Sequence, residues 1–278
     1  MAGKKQMERE GKAPKSKSRN PATPSLEGYQ KVIFIPDAHL KQPGDENYRA
    51  MCAFLSGLDS KDCDALVIMG DFFDFWVGYR SVVPRRYLPL LMRLSDLSRV
   101  GIKIHYTEGN HDFVIGEYFA ELLDAAVHPG PWELRAGGLR IYVAHGDQID
   151  NADRGYHVFR WALRHYPIRL LSDILPAYIV EGIGNRMSGA SRKRSIGRRK
   201  IDGEVVRRFL RARFYESYDA VVFGHFHKLE LDYETFGGKK RASVSVGRWM
   251  GGRYDYVALE GGNFTAKSYA FKDDESRP

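Results

Sequence analysis

Five places in this 278-residue chain set metal-binding side chains directly after an apolar run. "KVIFIPDAHL" offers Asp37 and His39, "DALVIMGD" offers Asp71, and "GIKIHYTEGNHD" offers Asn110 and His111. "LRIYVAHGD" adds His145, and "YDAVVFGHFH" adds His225 and His227. Carboxylate, imidazole and amide oxygen together suit Mn²⁺, Fe or Zn²⁺ better than a thiolate-seeking metal or an all-oxygen Mg²⁺ site. Two ions about 3.5–4 Å apart can clamp the attacking and leaving oxygens of an in-line displacement at phosphorus. Asp71, mid-order among the donors, is the natural bridge between them. A carboxylate buried behind so greasy a run is costly unless cations pair with it.

Taken singly, a His at a strand end is more often a satisfied structural residue. Asp or Asn after a strand is usually turn chemistry. Five such ends in one chain make coincidence a poor explanation.

The elements that must position these donors follow from the same runs. Each run is short and apolar, as in a buried strand, and helix-length stretches such as 47–59 and 86–99 lie between the early ones. Strands alternating with helices predict an α/β fold, whose ligands gather at the carboxyl ends of the strands. From Lys228 to Phe271 the pattern alternates, with Gly-Gly turns, which predicts antiparallel strands. Two packed mixed sheets flanked by helices, four layers in all, accommodate both halves.

Composition narrows the class. The chain is 43% hydrophobic and 28% charged, ordinary for a globular protein, and no apolar run is long enough to span a membrane. The N-terminal stretch has no apolar core, so no secretory signal is expected. Cys52 and Cys63 show no metal or disulfide spacing, which fits a reducing compartment. Residues 1–20 hold seven Lys or Arg against two Glu, and 186–213 hold eleven against Asp202 and Glu204. Against the net charge of +8, the rest of the chain is therefore acidic, at −6. Residues 1–30 read as a disordered basic arm, 31–272 as one catalytic domain, and 273–278 as a tail.

The blocks "DAH", "GDFFD", "GNHD", "AHGD" and "GHFH" resemble the five signature blocks of the calcineurin-like metallophosphoesterase superfamily. The resemblance runs from about Val32 to His227 and implies a four-layer metallophosphoesterase fold. It implies a first metal held by Asp37, His39, Asp71 and His227, and a second by Asp71, Asn110, His145 and His225. His111 would be the catalytic histidine, with Asp74 and Asp112 behind the ligands. Two divalent ions are implied, with Mn²⁺ as the expected metal.

A narrower resemblance is to the UDP-2,3-diacylglucosamine hydrolases of lipid A synthesis. It is carried by "GDFFDFWVGY", "AHGDQIDNADRGYHVFRWALRH" and "LSDILPAYIVEGIGNRMSGASRKRS". It implies release of UMP from an acylated UDP-sugar, a helical lid inserted at about 151–213, and substrate contacts at Asp153, Tyr156, Ser191 and Arg198. The residues of the insertion agree with it. Tyr156, Phe159, Leu163, Tyr166 and Leu170 form an apolar face at helical period, while Pro167 and Pro176 break the run into short helices. Such a groove suits acyl chains, although the same face could simply pack on the core. The basic run "SRKRSIGRRK" suits lipid phosphates or a solvated helix face; it lacks the interleaved aromatics of a nucleic-acid patch. "GNHD" and "GHFHKL" depart from the narrower family, which often has Arg where His111 stands and Thr where Phe226 stands.

The expectation is a di-metal hydrolase of UDP-2,3-diacylglucosamine, cytoplasmic and peripheral at the inner membrane, with no obligate protein partner. The rival is a soluble metallophosphoesterase of a nucleotide, phosphoprotein or nucleic acid. A scaffold that has lost catalysis is disfavoured because every donor is present.

Overall fold

Lys31–Ile35, Ala65–Ile68 and Ala220–Phe223 are almost wholly apolar and buried on both faces, so each needs cover above and below. Leu229–Phe236 and Asn263–Ser268 are largely exposed, as edges are. A computed structural model of the protein describes residues 28–77, 83–113, 115–149 and 203–273. Residues 1–27 of the expected arm, nearly all of the expected lid, and the four expected substrate contacts Asp153, Tyr156, Ser191 and Arg198 lie outside the described residues. The arm's last residues are described, with Tyr29 bridging to Ala136 and its hydroxyl 2.9 Å from His105 Nε2.

In order come β1 (Lys31–Ile35), α1 (Glu46–Ser56), β2 (Ala65–Ile68), β3 (Trp76–Val77), a 3₁₀ turn (Arg85–Tyr87) and α2 (Leu88–Arg99). Then follow β4 (Lys103–Thr107), β5 (Asp112–Phe113), α3 (Gly116–Leu123), β6 (Ala126–His128), β7 (Trp132–Ala136) and β8 (Leu139–Ala144). After these come α4 (Gly203–Tyr215), β9 (Ala220–Phe223), β10 (Leu229–Phe236) and β11 (Lys239–Val246). Last are β12 (Trp249–Met250), β13 (Arg253–Glu260) and β14 (Asn263–Ser268).

The first sheet runs β12-β13-β1-β2-β4-β6, with β14 on β13; the second runs β10-β11-β9-β8-β7. In the first, β1, β2, β4 and β6 are parallel, and β13 lies antiparallel to β1. In the second, β8, β9 and β11 are parallel, with antiparallel neighbours at both edges. Strand alternation then sorts the core into layers. Ile33, Ile35, Leu66 and Ile68 face α1, α2 and α3, while Val32, Phe34, Ala65 and Val67 face Ile141, Val143, Ala220 and Val222 of the second sheet. Tyr142, Val221 and Phe223, on the second sheet's outer face, meet Phe209, Leu210 and Phe214 of α4. The result is the expected four layers: helices, sheet, sheet, helix. Residues 203–213, expected as the end of the lid, are the first turns of α4 and belong to the outermost layer. Val206, Phe209, Leu210 and Phe214 recur at helical period, which gives that helix an apolar face to set on the sheet.

Candidate metal centre

The parallel strands of each sheet end level with one another. Ile35 pairs across to Ile68, and Ala144 to Phe223, so the segments that follow all emerge at one end of the sandwich. From the first sheet come Asp37, His39, Asp71, Asn110 and His111, and from the second His145, His225 and His227. All eight residues assembled from the sequence meet at the seam between the sheets. Three sets of candidate ligand atoms lie within 4.8 Å of one another: Asp37, Asp71, His145 and His225; Asp37, His39 and His227; and His39, Asp71 and His111.

Backbone conformation marks the same residues. Six described non-glycine residues have positive φ, and four of them are candidate ligands: His39 (45°), Asp71 (50°), His225 (70°) and His227 (55°). Such conformations are uncommon for residues with a Cβ and cluster where function over-determines the chain. Turn capping alone would not concentrate them here.

Hydrogen bonds aim the side chains. His145 Nδ1–H donates to the Met69 carbonyl (2.8 Å), which leaves Nε2 facing Asn110 Oδ1 (3.1 Å), His225 Nδ1 (3.3 Å) and Asp71 Oδ2 (3.7 Å). Orienting one ring nitrogen so that the other meets a metal is the usual second layer of such sites. Asp71 divides its work between two oxygens. Its Oδ1 accepts from the backbone N–H groups of Asn110 and His111, both at 2.8 Å. Its Oδ2 lies between His145 Nε2 (3.7 Å) and His39 Nε2 (3.9 Å), one imidazole from each expected ligand set. His111 Nδ1–H donates to the Asp74 carbonyl (3.0 Å), so its Nε2 is the atom left for the site.

Asp112 is fully buried, and its oxygens accept the backbone N–H groups of Asp71 (2.9 Å), Phe72 (2.7 Å), Phe73 (3.1 Å) and Gly109 (3.1 Å), besides the Tyr106 hydroxyl. It knits the Asp71 loop to the Asn110 loop. Gly109 sits in this junction, where a Cβ would lie 2.2 Å from Asp71 Oδ1. Beneath the loops, Phe73 packs against Trp76, Tyr87 and Phe119, so three of the aromatics in "GDFFDFW", Phe72, Phe73 and Trp76, are core.

Electrostatics reflect two buried carboxylates among imidazoles. Burial alone would raise Asp37, but His145 and His227 outweigh it and hold the carboxyl well below its ordinary range. Asp71 is lowered too: burial opposes, and His111, His145 and His39 prevail. Burial pushes His39 down to about 3 and, with His145 beside it, His225 down to about 4. His145 goes the other way. Burial is overcome by Asp71, Asp37 and Asp147, which hold it up at about 9. Asp112 is pushed up to about 7 by burial and by Asp71. Asp147, the last residue of the "AHGD" block, has no role assigned from the sequence. Its burial and its pull on His145 and His225 place it behind the ligands.

The chain matches the calcineurin-like phosphoesterase family over residues 30–229. This protein belongs to that family. The phosphoesterase is 26% identical to UDP-2,3-diacylglucosamine hydrolase of Psychromonas ingrahamii, over 79% of its own length and 89% of that protein. It is 30% identical to the protein of the same name from Porphyromonas gingivalis, over 82% and 93%, and 29% identical to that of Shewanella sp. strain ANA-3, over 79% and 90%.

Enzymes of this family bind divalent metal ions, and the residues present fit them. Asp37 Oδ2 and His39 Nδ1 are sealed from solvent without a well-formed hydrogen bond, Asp37 Oδ2 having only the His227 imidazole beside it at 3.3 Å. A carboxylate oxygen shut away from water with so little to satisfy it is expensive unless a cation completes it. Asp37, His39, Asp71, Asn110, His145, His225 and His227 supply the mixed oxygen and nitrogen donors that the ion requires.

Proposed function

We propose that this phosphoesterase hydrolyses the diphosphate of UDP-2,3-diacylglucosamine, giving UMP and 2,3-diacylglucosamine 1-phosphate. The observation that carries the chemistry is the convergence of seven metal-type donors and His111 at one seam, with four of the donors in left-handed backbone. The choice of substrate is supported by the names of relatives that align with about four-fifths of the chain. Two ions are proposed, Mn²⁺ foremost, one with Asp37, His39, Asp71 and His227 and the other with Asp71, Asn110, His145 and His225.

When bound, the ions would supply a water acidic enough to attack at neutral pH and positive charge for the phosphoryl oxygens. The chain's own part is positioning. Asp71 Oδ1 fixes the Asn110–His111 turn through two backbone N–H groups, and Asp112 fixes that turn to the Asp71 loop. His111, anchored at Nδ1, would present Nε2 to the α-phosphoryl group, stabilise its developing charge and deliver a proton to the departing oxygen. Water adds at the α-phosphorus, and the bond to the bridging oxygen breaks, so that oxygen leaves with the sugar phosphate.

The insertion, about 151–202 and outside the described residues, is proposed to hold the acyl chains, with Asp153, Tyr156, Ser191 and Arg198 touching substrate. A cytoplasmic enzyme resting peripherally on the inner membrane follows from such a substrate. Leu88 and Met92, a turn apart on α2 and 42% and 65% exposed, support an apolar surface that could enter lipid, with Arg93 and Arg99 around Asp96 at its edge. No helix among the described residues is long and apolar enough to cross a membrane.

The test is UMP release from UDP-2,3-diacylglucosamine in detergent with Mn²⁺, beside His111→Ala. Wild-type turnover should fall by about 10²–10⁴ in the variant. Cleavage of bis-p-nitrophenyl phosphate but not of the acylated sugar would leave the metal chemistry standing and remove the lipid substrate. The same protein should pellet with anionic vesicles and stay in solution with neutral ones; failure to pellet would remove the membrane surface.

A further inference from the structure

Gly247 and Arg248 carry the chain from one sheet to the other, because β11 belongs to the second and β12 to the first. They cross at the end where the donors gather. β11 runs parallel to β9 with Ser245 opposite Phe223, so the link lies level with the segment bearing His225 and His227. On the other side, Trp249 N–H donates to the Asp37 carbonyl at 2.9 Å. Arg248 therefore stands between the Asp37–His39 segment and the His225–His227 segment.

The link is held from several directions. Trp249 is buried and its indole N–H donates to the Asn47 carbonyl (3.1 Å), while the Asn47 amide donates to the Ala38 carbonyl (3.0 Å). Gly247 has φ +87°, and a Cβ there would lie 2.7 Å from the Asp255 Cβ. The Arg248 N–H reaches Asp255 Oδ2 (3.3 Å), and the Arg248 carbonyl accepts from Asp255 N–H (3.0 Å). Asp255 Oδ2 is itself engaged by Arg253 at 3.3 Å.

The side chain of Arg248 has no such partner. Its Nε is sealed from solvent without a hydrogen bond, and among the described residues no carboxylate pairs with its guanidinium. Two other arginines also have a sealed Nε, yet Arg213 pairs with Glu216 and Arg241 with Asp219. A partly desolvated guanidinium left without a counter-charge is costly, and at a phosphoester site the compensation is an anionic oxygen of the ligand. We infer that Arg248 is a substrate-binding residue that takes a phosphoryl oxygen of the ligand at the Asp37–His227 side of the centre. This rests on the phosphoester reading of the site and adds a contact that none of the five sequence blocks contains.

The experiment compares Mn²⁺-loaded wild type, Arg248→Ala and Arg248→Lys. KM and kcat for bis-p-nitrophenyl phosphate, inhibition by inorganic phosphate, bound metal and melting temperature would be measured for each. Loss of a charge-assisted contact should raise KM and the phosphate inhibition constant roughly 10- to 100-fold in Arg248→Ala, with Lys restoring part. Metal content and melting temperature should stay at wild-type values. Phosphate inhibition unchanged in Arg248→Ala would overturn the assignment. So would loss of metal or of stability in both variants alike, since Arg248 would then be a structural brace. If wild type cleaves no phosphodiester, the phosphoester reading itself fails, and direct phosphate titration of the Mn²⁺-loaded proteins still decides the role of Arg248.

Discussion

His145 differs from the other buried imidazoles of the site in one respect that can be measured. Without metal, its carboxylate neighbours hold its pKa at about 9, while His39 and His225 are held near 3 and 4. A metal ligand must be the neutral imidazole. Around pH 7 His39 and His225 already are neutral, whereas His145 carries a proton that an incoming ion must displace. His227 is raised too, its burial outweighed by Asp37. Metal loading should therefore release the His145 proton near pH 7, and progressively less as pH rises through 9. Affinity should climb with pH over the same range, because the competing proton is disappearing. Calorimetric titration with Mn²⁺ in oxygen-free buffers of different ionisation enthalpy, at about pH 7 and about pH 9, counts those protons. Equal release at both pH values would contradict the assignment of His145.

At the scale of elements, the site depends on two loops lying closer than side chains normally permit. Gly109 is where they meet, and a methyl there would sit 2.2 Å from Asp71 Oδ1 and 2.4 Å from the Asp71 backbone N. The second atom is backbone, and the first is pinned by the Asn110 and His111 N–H groups, so the loops must part. Gly109→Ala should weaken metal binding by about 10- to 100-fold, the usual cost of disturbing the layer behind the ligands. Equilibrium dialysis of the variant against Mn²⁺ measures it, and wild-type affinity would show that the loops yield more easily than the geometry says. The strands that carry these loops were legible in the sequence because each is a continuous apolar run closed by polar donors, as at Val32–Ile35 followed by Asp37 and His39. Gly109 and Asp112 were not legible as a junction. A carboxylate accepting backbone N–H groups from a loop 40 residues away looks, in sequence, like local turn capping. Arg248 escaped for a related reason. Its importance comes from where the chain changes sheets, and alternation in the β11–β13 region signals strands without saying which sheet each one joins.

For the whole molecule, the decisive fact is that the donors come from both sheets. Asp37, His39, Asp71 and Asn110 follow strands of the first, and His145, His225 and His227 follow strands of the second. Among the described residues, the apolar layer of Val32, Phe34, Val67, Ile141, Val143 and Val222 is joined at this end by polar contacts between the halves. Among them are His145 with Met69 and the His225 N–H with Asp37 Oδ1. Ions shared by those donors would clasp the open end of the sandwich and relieve the crowding of Asp37 and Asp71. Binding to the folded state alone stabilises by mass action, about 2.7 kcal/mol when free metal is a hundred times Kd. For a domain of this size that corresponds to roughly 5–10 °C in melting temperature. Chelation should lower the melting temperature by that order, and Mn²⁺ should restore it with a concentration dependence that does not saturate at stoichiometry. Because the clasp spans the sheets, hydrogen exchange should slow on loading in β1 and β2 and equally in β8 and β9. Protection confined to one sheet would mean that the ions are held by one half of the donor set, and the shared centre would have to be given up.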